Sequence, residues 1–171
     1  MKINRNFRML YFLLLIFQVI LCNYSNLGPY VMMSMLPAMV LCIPLSVGTP
    51  LCLLIAFFSG LSVDWISEGL IGLNASALLP VAALRKPFIR IFIGEDLIVR
   101  NDNFSIRKNG FSKVFFALMA SAALFIGLYV FLDGAGTRPF WFSATRFSVS
   151  LAANMILGFI VVNVLTGEER K

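Results

Sequence analysis

Histidine is absent from the 171-residue sequence, and cysteine occurs only three times, at Cys22, Cys42 and Cys52, never with Cys-x-x-Cys spacing. Classical zinc sites are built from clusters of His and Cys, which this chain does not offer, and it has no imidazole for acid–base work. An odd number of cysteines, each inside an apolar run, excludes a disulfide framework. These thiols read as small buried hydrophobes. Charge is also scarce. Asp, Glu, Lys and Arg make up 13% of the chain, about half the ~25% of a soluble domain. Acidic residues are scarcest, eight against fourteen Lys and Arg, for a net charge of +6. A Gly-rich phosphate loop, an internal repeat and a low-complexity segment are all missing.

What is present is hydrocarbon. Apolar residues make up 60% of the sequence and the mean hydropathy is +0.90. A globule of this size cannot hide that much apolar surface, so it must face lipid. A spanning helix takes roughly 20 apolar residues. The apolar runs predict an all-α, polytopic protein of six transmembrane helices, over about 7–22, 30–45, 51–66, 70–84, 113–132 and 142–165. Residues 1–171 then form one integral membrane domain, with a basic cytoplasmic loop at 85–112 whose first part extends the fourth span or lies at the interface. The start has a signal-like basic head (Lys2, Arg5, Arg8). No small-x-small cleavage site follows its apolar run, so it reads as a first anchored span. Pro37 and Pro44 fall in the second span, where neighbouring helices can satisfy the freed backbone groups.

Charge sets the expected orientation. With the N-terminus inside, Lys2, Arg5, Arg8, Arg85, Lys86, Arg90, Arg100, Arg107, Lys108, Lys113, Arg170 and Lys171 are cytoplasmic, twelve of the fourteen cations; only Arg138 and Arg146 are outside. Short cytoplasmic loops carry the Lys/Arg excess, so both termini are expected in the cytoplasm. The same arrangement puts Tyr24, Tyr30, Trp65 and Trp141 at the outer interface, which aromatic residues favour. The cations thus belong to span ends, not to a nucleic-acid-binding face.

The densest polar stretch at membrane depth runs from Gly60 to Ala77. Ala56, Gly60 and Asp64 share one helix face, and Gly72 and Ser76 repeat the small-xxx-small spacing that lets helices approach closely in lipid. Spans three and four are therefore expected to form a tight hairpin with Asp64 near its outer tip. Asp64 is either a hydrated interfacial residue or a functional one, as ionisable groups in membranes often are. Asp64 and Glu68 make a poor acid–base pair without other catalytic groups. The three Asn-x-Ser sequences, at Asn23, Asn74 and Asn103, read as chance. Arg146 enters span six from the same side as Asp64. The two are expected either to pair and pin span three to span six, or to be hydrated separately.

The turn ending in Pro50, then Ala56-Phe57-x-x-Gly60-Leu61-x-x-Asp64, Gly72-Leu73-x-Ala75 and Leu84-Arg85-x-Pro87, resembles MreD, the small membrane protein of the bacterial rod-shape complex, in its Bacteroidetes form. Relatives often carry a His where this chain has Asn74, which argues against a proton relay there. The resemblance implies a non-enzymatic scaffold of the inner membrane, without cofactor, that works with MreC, RodA, a class B penicillin-binding transpeptidase and, indirectly, the MreB filament in cell-wall elongation. It also implies an architecture similar to the substrate-binding components of energy-coupling-factor vitamin transporters. Candidate faces for a single-span partner are Ala120, Ala123 and Gly127 on span five, and Ser150, Asn154 and Gly158 on span six; internal packing is the alternative for both. The rival function is a solute-binding transporter subunit using Asp64, Asn74, Arg138 and Arg146 at the outer ends. A membrane enzyme acting on lipid-linked substrates is a third, disfavoured option.

Overall fold

The computed structural model describes residues 5–24, 28, 30–68, 71–95, 97, 104, 109–134 and 138–166. Six helices are bounded among them: α1 (Arg5–Tyr24), α2 (Leu36–Cys42), α3 (Thr49–Val63), α4 (Leu73–Phe92), α5 (Phe111–Gly134) and α6 (Phe140–Thr166). A π-helical turn, Asp64–Glu68, continues α3. No strand occurs among the described residues. The protein is an all-helical membrane bundle. Four helical segments are long and apolar enough to cross a membrane: Asn6–Tyr24, Thr49–Ser67, Phe111–Gly134 and Phe140–Thr166.

Local sequence explains the helix starts. Pro37 and Pro50 sit in the first turns of α2 and α3, where a missing N–H costs nothing because that group has no partner within the helix. Gly72, just before α4, has φ +99°, a conformation that residues with a Cβ rarely adopt.

From α3 onward successive helices alternate in direction. Arg85 of α4 reaches Cys52 near the start of α3, while Gly60 near the end of α3 abuts Ala75 near the start of α4. Phe92 stacks on Phe116, joining the end of α4 to the start of α5. Phe111 stacks on Phe159, and Asp133 pairs with Arg146, closing the α5–α6 hairpin at both ends. One end of the bundle, here called proximal, thus holds the start of α1, the 43–48 turn, the end of α4 and the end of α6. The distal end holds the end of α1, the π turn and the α5–α6 connection.

The second expected span departs from a helix. Residues 31–35 are non-helical and only Leu36–Cys42 is helical. Five residues reach at most about 17 Å and a seven-residue helix about 10 Å, together close to the ~30 Å hydrocarbon thickness. Every residue of α2 is buried, and α2 touches each of the other five helices. Such irregular backbone is tolerated at membrane depth only when protein surrounds it. The core forms around it, from Met39 and Leu41 of α2 with Leu78, Ile89, Phe125, Ile126 and Val161. The fourth helix runs past 84, in line with one of the two expectations for the start of the 85–112 segment. It continues to Phe92 through Pro80 and Pro87, so Arg85 lies inside a helix and not at the head of a loop.

Candidate functional site

Four polar assemblies punctuate the bundle. The first joins α3 to α4. A Cβ at Gly60 would lie 2.6 Å from the Ala75 Cα and 2.7 Å from its N, so the two helices touch backbone to backbone there. One turn on, Asp64 is fully buried. Its carboxylate accepts hydrogen bonds from the backbone N–H groups of Gly72 (3.0 Å), Asn74 (2.9 Å) and Ala75 (3.1 Å), and from Asn74 Nδ2 (2.9 Å). These donors form the N-terminus of α4, whose unsatisfied N–H groups and dipole favour an anion. Asp64 therefore caps α4 from across the hairpin. The Asn74 side chain must turn its nitrogen toward a group that only accepts, and its Oδ1 is left buried without a partner among the described residues.

The second assembly is Arg85, 1% exposed. Its Nη2 donates to the Ile43 carbonyl at the end of α2, and its Nη1 lies 3.4 Å from Cys52 Sγ. A cation at a helix C-terminus meets the free carbonyls and the negative dipole end. No carboxylate pairs with Arg85 among the described residues, and its Nε is buried without a partner.

The third assembly holds residues 31–35. Asn154 accepts from the Ser34 N–H (2.7 Å) and donates to the carbonyls of Met32 and Ser150 (both 2.7 Å). Ser150 Oγ accepts from the Met32 N–H at 2.9 Å. From the other side, Gln18 of α1 accepts from the Met35 N–H (2.6 Å) and donates to the Met33 carbonyl (3.2 Å). Each amide side chain presents one donor and one acceptor, as a neighbouring strand would, so two side chains replace the hydrogen bonds that a helix would have supplied. Gln18, Ser34, Ser150 and Asn154 are all buried.

The fourth assembly is at the distal end. Asp133 pairs with Arg146 and lies 3.3 Å from Arg138 Nη2. The Arg146 guanidinium also lies 5.7 Å from the centre of the Tyr129 ring. Arg146 thus pairs with Asp133 and not with Asp64, which corrects the expected pin between spans three and six. Both charges have nearer partners: Asp133 is one helical hairpin away from Arg146, and Asp64 is satisfied by N–H groups.

Among the expected partner faces, Ser150, Asn154 and Gly158 of α6 point inward. Gly158 packs against Leu118 of α5 and Ala38 of α2. On α5, Ala120, Ala123 and Gly127 are half-buried, and Gly127 faces Phe147. Sequence reasoning missed Gln18 and Asp133. Gln18 carried a signal, being a lone amide within an apolar run. Asp133 sat in a turn cluster, where an acidic residue draws no attention. The chain matches no protein-family model, no curated protein and no solved structure.

Proposed function

We propose that this chain is a non-enzymatic scaffold of the bacterial inner membrane, similar to MreD, which holds MreC and links wall synthases (RodA and a class B transpeptidase) to the MreB filament. One observation supports this reading above the others. Four of the residues that carry the resemblance, Gly60, Asp64, Gly72 and Ala75, converge on one joint, in which backbone contact and a helix cap fix α3 against α4. Their chemistry is that of a rigid corner. A scaffold needs a rigid body of this kind to hold partners in register, and α5 still offers Ala120, Ala123 and Gly127 as a half-buried face for a partner helix.

A second reading has one observation in its favour. The broken second element resembles the discontinuous helices on which transporters build solute sites. Against it, the non-helical backbone groups that would meet a solute are occupied by Gln18, Ser150 and Asn154.

Depletion of the protein in its host tests both. The scaffold reading expects rounded cells and reduced recovery of MreC with the elongation transpeptidase. Normal shape combined with a vitamin requirement would instead establish the transporter reading.

A further inference from the structure

A groove of about 550 Å³ runs between α1 and α3 and opens sideways, with Arg8 in its wall. On α3 it extends from Leu51 to Ser62, about 16 Å at 1.5 Å per residue. That matches one leaflet of a hydrocarbon core about 30 Å thick. Its open rim is apolar: Phe12 is 65% exposed, Leu54 53% and Phe58 60%. The polar groups along its walls are already occupied. Tyr11 bonds Ser59 at 3.0 Å, Ser59 donates to the Ile55 carbonyl at 2.7 Å, and Ser62 to the Phe58 carbonyl at 2.7 Å. The interior therefore offers an occupant nothing to hydrogen-bond. Arg8 is different. It is exposed, it belongs to the first turns of α1 at the proximal end, and no carboxylate pairs with it among the described residues. The window of α1 is only 11% buried, so most of this helix is open to whatever surrounds the bundle.

We propose that this groove is a binding site for one anionic phospholipid, with an acyl chain lying along α3 and the phosphate held by Arg8. An apolar slot one leaflet deep, with a single uncompensated guanidinium at one end, is complementary to a molecule with a long hydrocarbon chain and one anionic head. Arginine suits phosphate because its planar fork bonds two oxygens, and basic pockets between membrane helices recognise anionic headgroups. The inference depends on the bundle lying in a membrane and not on the scaffold reading.

Native mass spectrometry of the purified full chain tests it, with phosphatidylglycerol and phosphatidylcholine of identical acyl chains titrated from detergent. One phosphatidylglycerol per chain is expected, with roughly tenfold preference over phosphatidylcholine, whose phosphate can accept the same hydrogen bonds but whose choline cation repels the guanidinium. Arg8→Gln, at an exposed position, abolishes that preference. Leu54→Trp, also exposed, fills the slot and reduces retention of both lipids while leaving the melting temperature unchanged. Equal retention of the two lipids by the wild-type chain, an unaltered preference in Arg8→Gln, or undiminished binding in Leu54→Trp would overturn the proposal. So would a co-purifying polypeptide that excludes lipid and is lost in Leu54→Trp.

Discussion

Gly60 carries the tightest steric constraint in the chain. A methyl group there would overlap Ala75 backbone atoms, which cannot rotate away as a side chain can. Overpacking usually costs about 1–3 kcal/mol, and Gly60→Ala is expected at or above the upper end. The control is Gly158→Ala, whose new Cβ would meet Leu118 and Ala38 side chains at 3.5–3.7 Å, ordinary contact that should change stability by less than about 1 kcal/mol. Thermal melts in detergent compare the two, and similar losses would refute the close approach. Charge gives a second prediction at this scale. Asp64→Asn puts an NH₂ where the carboxylate accepts bonds from Gly72 and Ala75, for a loss of about 1.5–3 kcal/mol. Adding Arg146→Gln should add its own loss without compensation, since these residues do not meet. Asp133→Asn and Arg146→Gln should couple by about 0.5–3 kcal/mol in the same kind of cycle. Coupling of Arg146 to Asp64 in place of Asp133 would contradict the ion pair.

At the scale of elements, the broken second crossing is held from outside itself. Removing an amide that serves it strands buried N–H and C=O groups, each at about 1–3 kcal/mol. Asn154→Leu leaves the Ser34 N–H and the Met32 carbonyl bare, and Gln18→Leu does the same to Met35 and Met33. Each variant is expected to lose several kcal/mol, to melt earlier, and to expose the 30–36 segment to hydrogen exchange before the long helices open. Uniform exchange across all helices would mean that the segment is not an independent weak point. Hydropathy foretold the four helices that are long and apolar enough to cross, because α3, α5 and α6 are apolar on nearly every face, and that pattern survives whatever packs against them. It failed at the second crossing because apolar composition is the same whether a buried backbone is helical or not. The deciding residues, Gln18 and Asn154, lie far away in sequence. The end of α4 was left open between two alternatives for a related reason. Arg85 and two prolines look like a helix ending at the interface, and only the Ile43 carbonyl and Cys52, brought in by folding, give the guanidinium a place inside. The α3–α4 joint was readable from its small-residue spacing, although the cap that Asp64 supplies required a carboxylate to meet N–H groups eight to eleven residues away.

The whole molecule is polar in the sense of having two unlike ends. At the distal end, Tyr24, Trp65 and Trp141 are 75–85% exposed and Tyr30 is 47% exposed, a belt of the kind that settles at a membrane interface. At the proximal end, Arg8, Arg90 and Lys113 are exposed. Arg85 alone among the described cations there is buried, and its charge serves the end of α2 without contributing to the surface field. The belt marks where the distal end meets a membrane surface without saying which, and only the cations carry sidedness: by the positive-inside rule the proximal end is expected in the cytoplasm. The expectation is testable residue by residue. With the three native cysteines replaced by Ser or Ala, single cysteines at Ser105 and Thr137 report opposite sides. A membrane-impermeant maleimide applied to intact spheroplasts should label position 137 and leave 105 unlabelled until the membrane is permeabilised. The reverse pattern would invert the orientation. Labelling of both positions in intact cells would mean an even number of crossings between them. In that case α5 would fail to span, although its 24 residues form the most apolar of the four candidate segments.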